Sequence, residues 1–105
     1  MTTTMIAGSE IEVNEDGFML NPDQWNPEVA AELALDAGID PLTDKHWEVL
    51  DYCRRDNATK GTPPGVRRIT KNTGVSMKEM YGLFPGGPGI LAARISGLTK
   101  PKSCI

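Results

Sequence analysis

Val66-Arg67-Arg68-Ile69-Thr70-Lys71-Asn72-Thr73-Gly74-Val75-Ser76-Met77-Lys78-Glu79-Met80-Tyr81-Gly82-Leu83-Phe84 is the stretch that decides the fold. It reads as two short helices around a glycine turn. Pro64 and Gly65 open the first, Val66 to Asn72, which stops at Gly74. Val75 is apolar within the turn, and Ser76-x-x-Glu79 is a capping box for a second helix through about Phe84. That is the form of a helix-turn-helix. In DNA-binding proteins of this form the second helix enters the major groove while basic residues hold phosphates. Lys71 and Lys78 suit phosphates, but Met77, Glu79 and Met80 are poor readers of bases. Helix pairs of this kind also build bundles that never meet nucleic acid. A DNA-binding regulator is therefore one reading and a purely structural element the other.

Upstream, Thr43 caps a helix through about Asp56, with an apolar stripe at His46/Trp47, Val49/Leu50 and Cys53. Before it, Asn26 is an N-cap, Pro27 is the first helical residue and Gly38 is the stop. Val29, Ala30, Leu33, Ala34 and Ala37 form the apolar face of that helix. Glu10-Ile11-Glu12-Val13 alternates with period two, and Asn14-Glu15-Asp16-Gly17 supplies turn residues before Phe18-Met19-Leu20. This predicts a short β-hairpin lying on the helices. Downstream, Pro85-Gly86-Gly87-Pro88-Gly89 breaks the chain, and Ile90 to Ser96 reads as a last helix. The Gly-rich break lacks the Lys-Ser/Thr pair of a phosphate loop, so it reads as a tight turn. The expected fold is mainly α (α+β): a small helical bundle with a helix-turn-helix-like portion, an N-terminal hairpin and a flexible C-terminal arm. Residues 1–8 are expected to be disordered, 9–96 to form a single domain, and 97–105 to be a mobile arm.

The 105 residues, 39% hydrophobic and 24% charged, fit one modest core. No apolar run approaches a membrane span, and the first residues lack the basic and apolar regions of a signal peptide. Two cysteines far apart make no disulfide framework, so a cytoplasmic protein is expected. The net charge of −3 hides an asymmetry. Residues 1–51 carry twelve acidic side chains against Lys45 alone, whereas residues 52–105 carry ten basic against Asp56 and Glu79. Arg54, Arg55, Lys60, Arg67, Arg68, Lys71 and Lys78 predict a basic face for an acidic protein surface or a nucleic acid.

The candidate chemistry lies at the end, Gly97-Leu98-Thr99-Lys100-Pro101-Lys102-Ser103-Cys104-Ile105. A cysteine next to last does not fill a core. It sits on an arm loosened by Gly97 and barred from helix by Pro101. Lys100 and Lys102 favour its thiolate, while the terminal carboxylate opposes them. A frayed tail with an incidental thiol is the plain alternative. His46 and Cys53 share a helix face but lie about 10.5 Å apart along it, too far for one ion. They read as a satisfied, partly buried histidine and a core filler, and no metal site is expected.

Read together, Asp16-Gly17-Phe18, Trp25, Leu42-Thr43-x-x-His46-Trp47, Pro63-Pro64, Leu83-Phe84-Pro85-x-Gly87-Pro88 and Gly97-Leu98-x-Lys100-Pro101-x-x-Cys104 resemble the DsrC/TusE family, also called the gamma subunit of dissimilatory sulfite reductase. The resemblance runs from about residue 9 to the end. It implies a sulfur-relay carrier that accepts sulfane sulfur as a persulfide on Cys104 and passes it on. Such a protein is a carrier undergoing transpersulfidation rather than a stand-alone turnover enzyme, and it needs no cofactor. DsrC proper has a second cysteine eleven residues before the penultimate one. Here that position is Ala93, so the pattern looks like the single-cysteine TusE type, which serves 2-thiouridine synthesis in tRNA. The implied partners are a TusBCD- or DsrEFH-like donor and a tRNA thiolase or sulfite reductase-like acceptor, with tRNA met through the acceptor and no membrane. A DsrC-like substrate protein of dissimilatory sulfur metabolism is the alternative within the family. Thr99 stands where the family usually has proline, which loosens the arm by one φ constraint.

Overall fold

The computed structural model describes residues 2–99. Two strands, β1 (Thr2–Ile6) and β2 (Ser9–Val13), pair antiparallel in a hairpin. Five helices follow: α1 (Pro27–Asp36), α2 (Asp44–Lys60), α3 (Val66–Asn72), α4 (Met77–Leu83) and α5 (Pro88–Ile95). The result is a mainly α bundle with a β-hairpin, as expected from the sequence.

The hairpin itself differs from the expectation. Thr2–Ile6, read as disordered, is the partner of Ser9–Val13. The two strands are joined by Ala7 and Gly8, both at positive φ (52° and 81°), which is the primed turn that matches strand twist. The turn expected at Asn14–Gly17 also forms: the Asn14 side chain accepts from the N–H groups of Asp16 and Phe18 at 2.9 and 3.0 Å. Beyond it only a single bridge, Val13 to Met19, continues the sheet. Phe18 and Met19 are instead drawn into the interior, each 1% exposed.

Helix boundaries follow local chemistry. Asn26 accepts from the N–H of Val29 at 2.9 Å, and Pro27 is the first residue of α1. The helix closes with Gly38 at φ 83°, where the N–H groups of Gly38 and Ile39 bond back to Leu35 and Ala34. α2 runs past the expected end near Asp56 to Lys60, stopping at Gly61 with φ 79°. α5 begins at Pro88 rather than Ile90 and packs against α1, α2 and α4. Its small residues Ala92 and Ala93 are buried, as are Ala30 and Ala34 of α1.

His46 joins two elements of the bundle. Its Nδ1 accepts from the N–H of Thr43 at 3.0 Å, so the ring proton sits on Nε2 and donates to the Leu83 carbonyl at 2.9 Å. The ring meets Phe84 edge-on at 5.3 Å. The satisfied-histidine reading therefore holds. His46→Ala should cost about 2–4 kcal/mol, because it strips the α2 cap and orphans a carbonyl of α4. The denaturant midpoint measures this, and His46→Gln should recover part of the loss.

The α3–α4 pair forms with the predicted capping box. Ser76 Oγ accepts from the N–H of Glu79 at 3.1 Å, and the Glu79 carboxylate accepts from the N–H of Ser76 at 3.0 Å. The same carboxylate reaches Lys45 Nζ of α2 at 2.7 Å. Lys45 first, then the Ser76 backbone, holds the Glu79 carboxyl down at about 2. A carboxyl lowered on folding adds stability above its unfolded pKa and loses it as pH falls through the folded value. Wild-type stability should therefore decline between about pH 4.5 and pH 2 more steeply than that of Glu79→Gln, read from denaturant midpoints across that range. Among the described residues no helix is long and apolar enough to cross a membrane.

Candidate functional site: the root of the C-terminal segment

Lys100, Pro101, Lys102 and Cys104 lie outside the described residues. What the structure gives is the place from which their segment continues, just after Leu98 and Thr99. That place is built from the end of α5, Trp25 and Arg54.

Gly97 does not begin a loose arm. It adopts φ 74° as the left-handed residue closing α5. Its N–H bonds to Arg94 O at 3.1 Å, and the N–H of Leu98 bonds to Ala93 O at 3.0 Å. These two bonds make a Schellman cap, and the apolar residue that follows the glycine, Leu98, is 2% exposed. Anchored chain therefore extends through Leu98, and Thr99 is the first exposed residue. Trp25 lies against the cap so closely that a Cβ on Gly97 would fall 2.5 Å from its ring.

Arg54, expected on an open basic face, is half-buried at this root. Its guanidinium stacks 4.2 Å from the Trp25 ring centroid and donates to the carbonyls of Ser96 at 2.8 Å and Pro22 at 3.2 Å. Burial lowers its pKa. Arg68 is paired with Asp56. Arg55, Lys60, Arg67, Lys71 and Lys78 remain exposed. On α4, Met77 and Tyr81 stand on one exposed face beside Lys78. Glu79, by contrast, is taken up by its cap and Lys45.

Cys53 is a core residue, 1% exposed. Burial, with help from Asp56, pushes its thiol up to about 12 despite a hydrogen bond with Ser96. It has neither the access nor the thiolate character of a nucleophile. Ala93, on the inner face of α5, is buried directly below the cap. Sequence reasoning missed the part played by Trp25, because nothing local distinguishes an aromatic that meets a helix end 70 residues away.

Fold and site together define a small, mainly α protein with an N-terminal hairpin, a helix-turn-helix portion and a capped last helix, with a cysteine six residues beyond the buried Leu98 in the sequence. The chain belongs to the DsrC-like protein family, whose sequence profile matches residues 5–105. It is 38% identical over 105 residues to the dissimilatory-type sulfite reductase gamma subunit of Nitratidesulfovibrio vulgaris, covering all of both chains. It is 35% identical to the TusE sulfurtransferase homolog of Haemophilus influenzae, covering 95% of this chain and 97% of the relative. The solution structure of DsrC from Allochromatium vinosum superposes with a TM-score of 0.83 at 32% identity, covering 98% of this chain and 97% of that one.

Proposed function

We propose that the chain is a cytoplasmic sulfur-relay carrier with Cys104 as the sulfur-bearing nucleophile. The Cys104 thiolate attacks the outer sulfur of a donor's persulfide. The donor's S–S bond breaks, the donor leaves as a thiolate, and Cys104 carries the persulfide. An acceptor thiolate then takes the outer sulfur in the same way and Cys104 returns to a thiolate. No oxidant, reductant or cofactor is consumed. Lys100 and Lys102 favour the thiolate, and Pro101 shapes the segment. The exposed cations Arg55, Lys60, Arg67, Lys71 and Lys78 meet an acidic partner or the tRNA it holds.

The observation that carries this reading is the combination of an anchored Leu98 with a cysteine six residues beyond it, in a chain similar to TusE sulfurtransferases along nearly its whole length. Ala93, at the family's second-cysteine position, favours the single-thiol relay toward tRNA thiolation over a DsrC cycle that closes a disulfide. The likeness to the Nitratidesulfovibrio vulgaris gamma subunit over the full chain supports the second reading, a partner in dissimilatory sulfur metabolism. Intact-mass spectrometry after exposure to polysulfide tests the carrier. A gain of about 32 Da on the C-terminal peptide, removed by dithiothreitol, is the expected result. No gain there would refute the proposal.

A further inference from the structure

The last turn of a helix leaves its final carbonyls without intrahelical partners. In α5 each of them is accounted for. Ala92 O accepts from the N–H and the hydroxyl of Ser96, at 3.0 and 2.6 Å. Ala93 O and Arg94 O accept from Leu98 and Gly97 in the cap. The two beyond, which an ordinary helix end would leave to water, are taken by distant side chains. Trp25 Nε1 donates to Ile95 O at 2.8 Å, and Arg54 Nη1 donates to Ser96 O at 2.8 Å. The guanidinium carbon sits over the indole at 4.2 Å from its centroid, and a second arm of the arginine donates to the Pro22 carbonyl. A cation at the helix C-terminus also suits the helix dipole.

We propose that Trp25 and Arg54 are positioning residues for sulfur transfer: they fix the direction in which the chain leaves α5, and so where Cys104 can be delivered inside a docked partner. This rests on the carrier reading. From Leu98 six residues lead to Cys104, a reach of at most about 20 Å. The folded chain measures 34 × 29 × 20 Å. Any site that Cys104 serves must therefore lie within about 20 Å of Leu98, and the heading of the chain at Thr99 bears on which of those sites it meets. Two features separate this role from plain stability. The clamp holds the carbonyls of Ile95 and Ser96 at the very end of α5, and the Gly97 position admits no side chain on the face that Trp25 covers. Arg54 accordingly does different work from the exposed cations Arg67 and Lys71, although all three belong to the same basic run in the sequence.

The test is single-turnover transfer to the full chain from a persulfide-loaded sulfurtransferase donor protein that loads the wild type, at varied donor concentration, with polysulfide loading of Cys104 as the parallel assay. Arg54→Lys keeps the charge but loses the two-armed geometry. Trp25→Phe keeps the ring but loses the N–H donor. Both substitutions are mild enough to keep the fold, which circular dichroism verifies. Each should lower the maximal transfer rate about tenfold while leaving the half-saturating donor concentration within about twofold. Polysulfide, which needs no docked geometry, should load both variants within about twofold of wild type. The double variant Arg67→Ala/Lys71→Ala should do the reverse, raising half-saturation while sparing the maximal rate. A raised half-saturation in Arg54→Lys with an unchanged maximal rate would overturn the proposal, because Arg54 would then be a docking residue. So would a parallel loss in both assays, which would mean a general structural role. Failure of wild-type Cys104 to take sulfur from polysulfide would overturn instead the carrier reading beneath it.

Discussion

Cys104→Ser is expected to lose the whole reducible gain of about 32 Da after polysulfide treatment, and Cys53→Ala to keep it. On the carrier reading the two thiols have different parts, and the structure shows why Cys53 is unsuited to sulfur transfer. Cys53 is 1% exposed with its thiol pushed up to about 12, so at neutral pH it offers almost no thiolate and no path of attack. Cys104 is preceded by Lys100 and Lys102 in the sequence and follows the buried Leu98 by six residues. Serine keeps the size and polarity at position 104 but cannot attack a sulfane sulfur at neutral pH. Thermal stability should be the same in Cys104→Ser and wild type. Thiol titration should find one fast-reacting group in the native protein and a second only after unfolding. A gain shared equally between both cysteines would contradict the assignment.

Gly97→Ala is expected to destabilise the fold by about 2–5 kcal/mol, measured by denaturant unfolding. Two effects add. A φ of 74° costs any L-residue about 1–2 kcal/mol. The new methyl would also lie 2.5 to 2.8 Å from three atoms of Trp25, and displacing a packed aromatic costs roughly 1–3 kcal/mol. Gly38→Ala is the control, since Gly38 closes α1 at φ 83° with nothing within 4 Å of a Cβ. Only the conformational cost applies there, so the difference between the two variants measures the collision with Trp25. Equal losses at both positions would show that the indole gives way freely.

The features legible in the sequence are those decided within a few residues. Asn26-Pro27, Thr43 and Ser76-x-x-Glu79 name their own helix starts, because the cap and the N–H that it satisfies lie three residues apart. The apolar stripes of α1 and α2 mark their buried faces for the same local reason. Errors arose where distant partners decide. Thr2–Ile6 has one inward apolar residue, Ile6, and becomes a strand because Ser9–Val13 pairs with it. Asn57-Ala58-Thr59 gave no clear signal to continue α2, yet the helix runs on to the stop at Gly61. Gly97 was legible as a glycine freeing the backbone, whereas its capping role depends on carbonyls of α5 and on Trp25. Arg54 carries the same charge as its neighbour Arg55. What separates them is Ser96, 42 residues further on.

On the carrier reading proposed above, the six-residue interval between Leu98 and Cys104 also bears on how tightly partners should bind. Once a donor or acceptor has docked, a thiol tethered at so short a length meets the partner's site at an effective concentration of the order of millimolar or more. Encounter within the complex is then fast even when the complex is brief, so tight binding adds little to each transfer. It would also slow departure, and a shuttle must leave one partner before it can serve the next. A fixed root with a short lead thus favours weak, rapidly exchanging complexes, in which one small docking surface can serve donor and acceptor in turn.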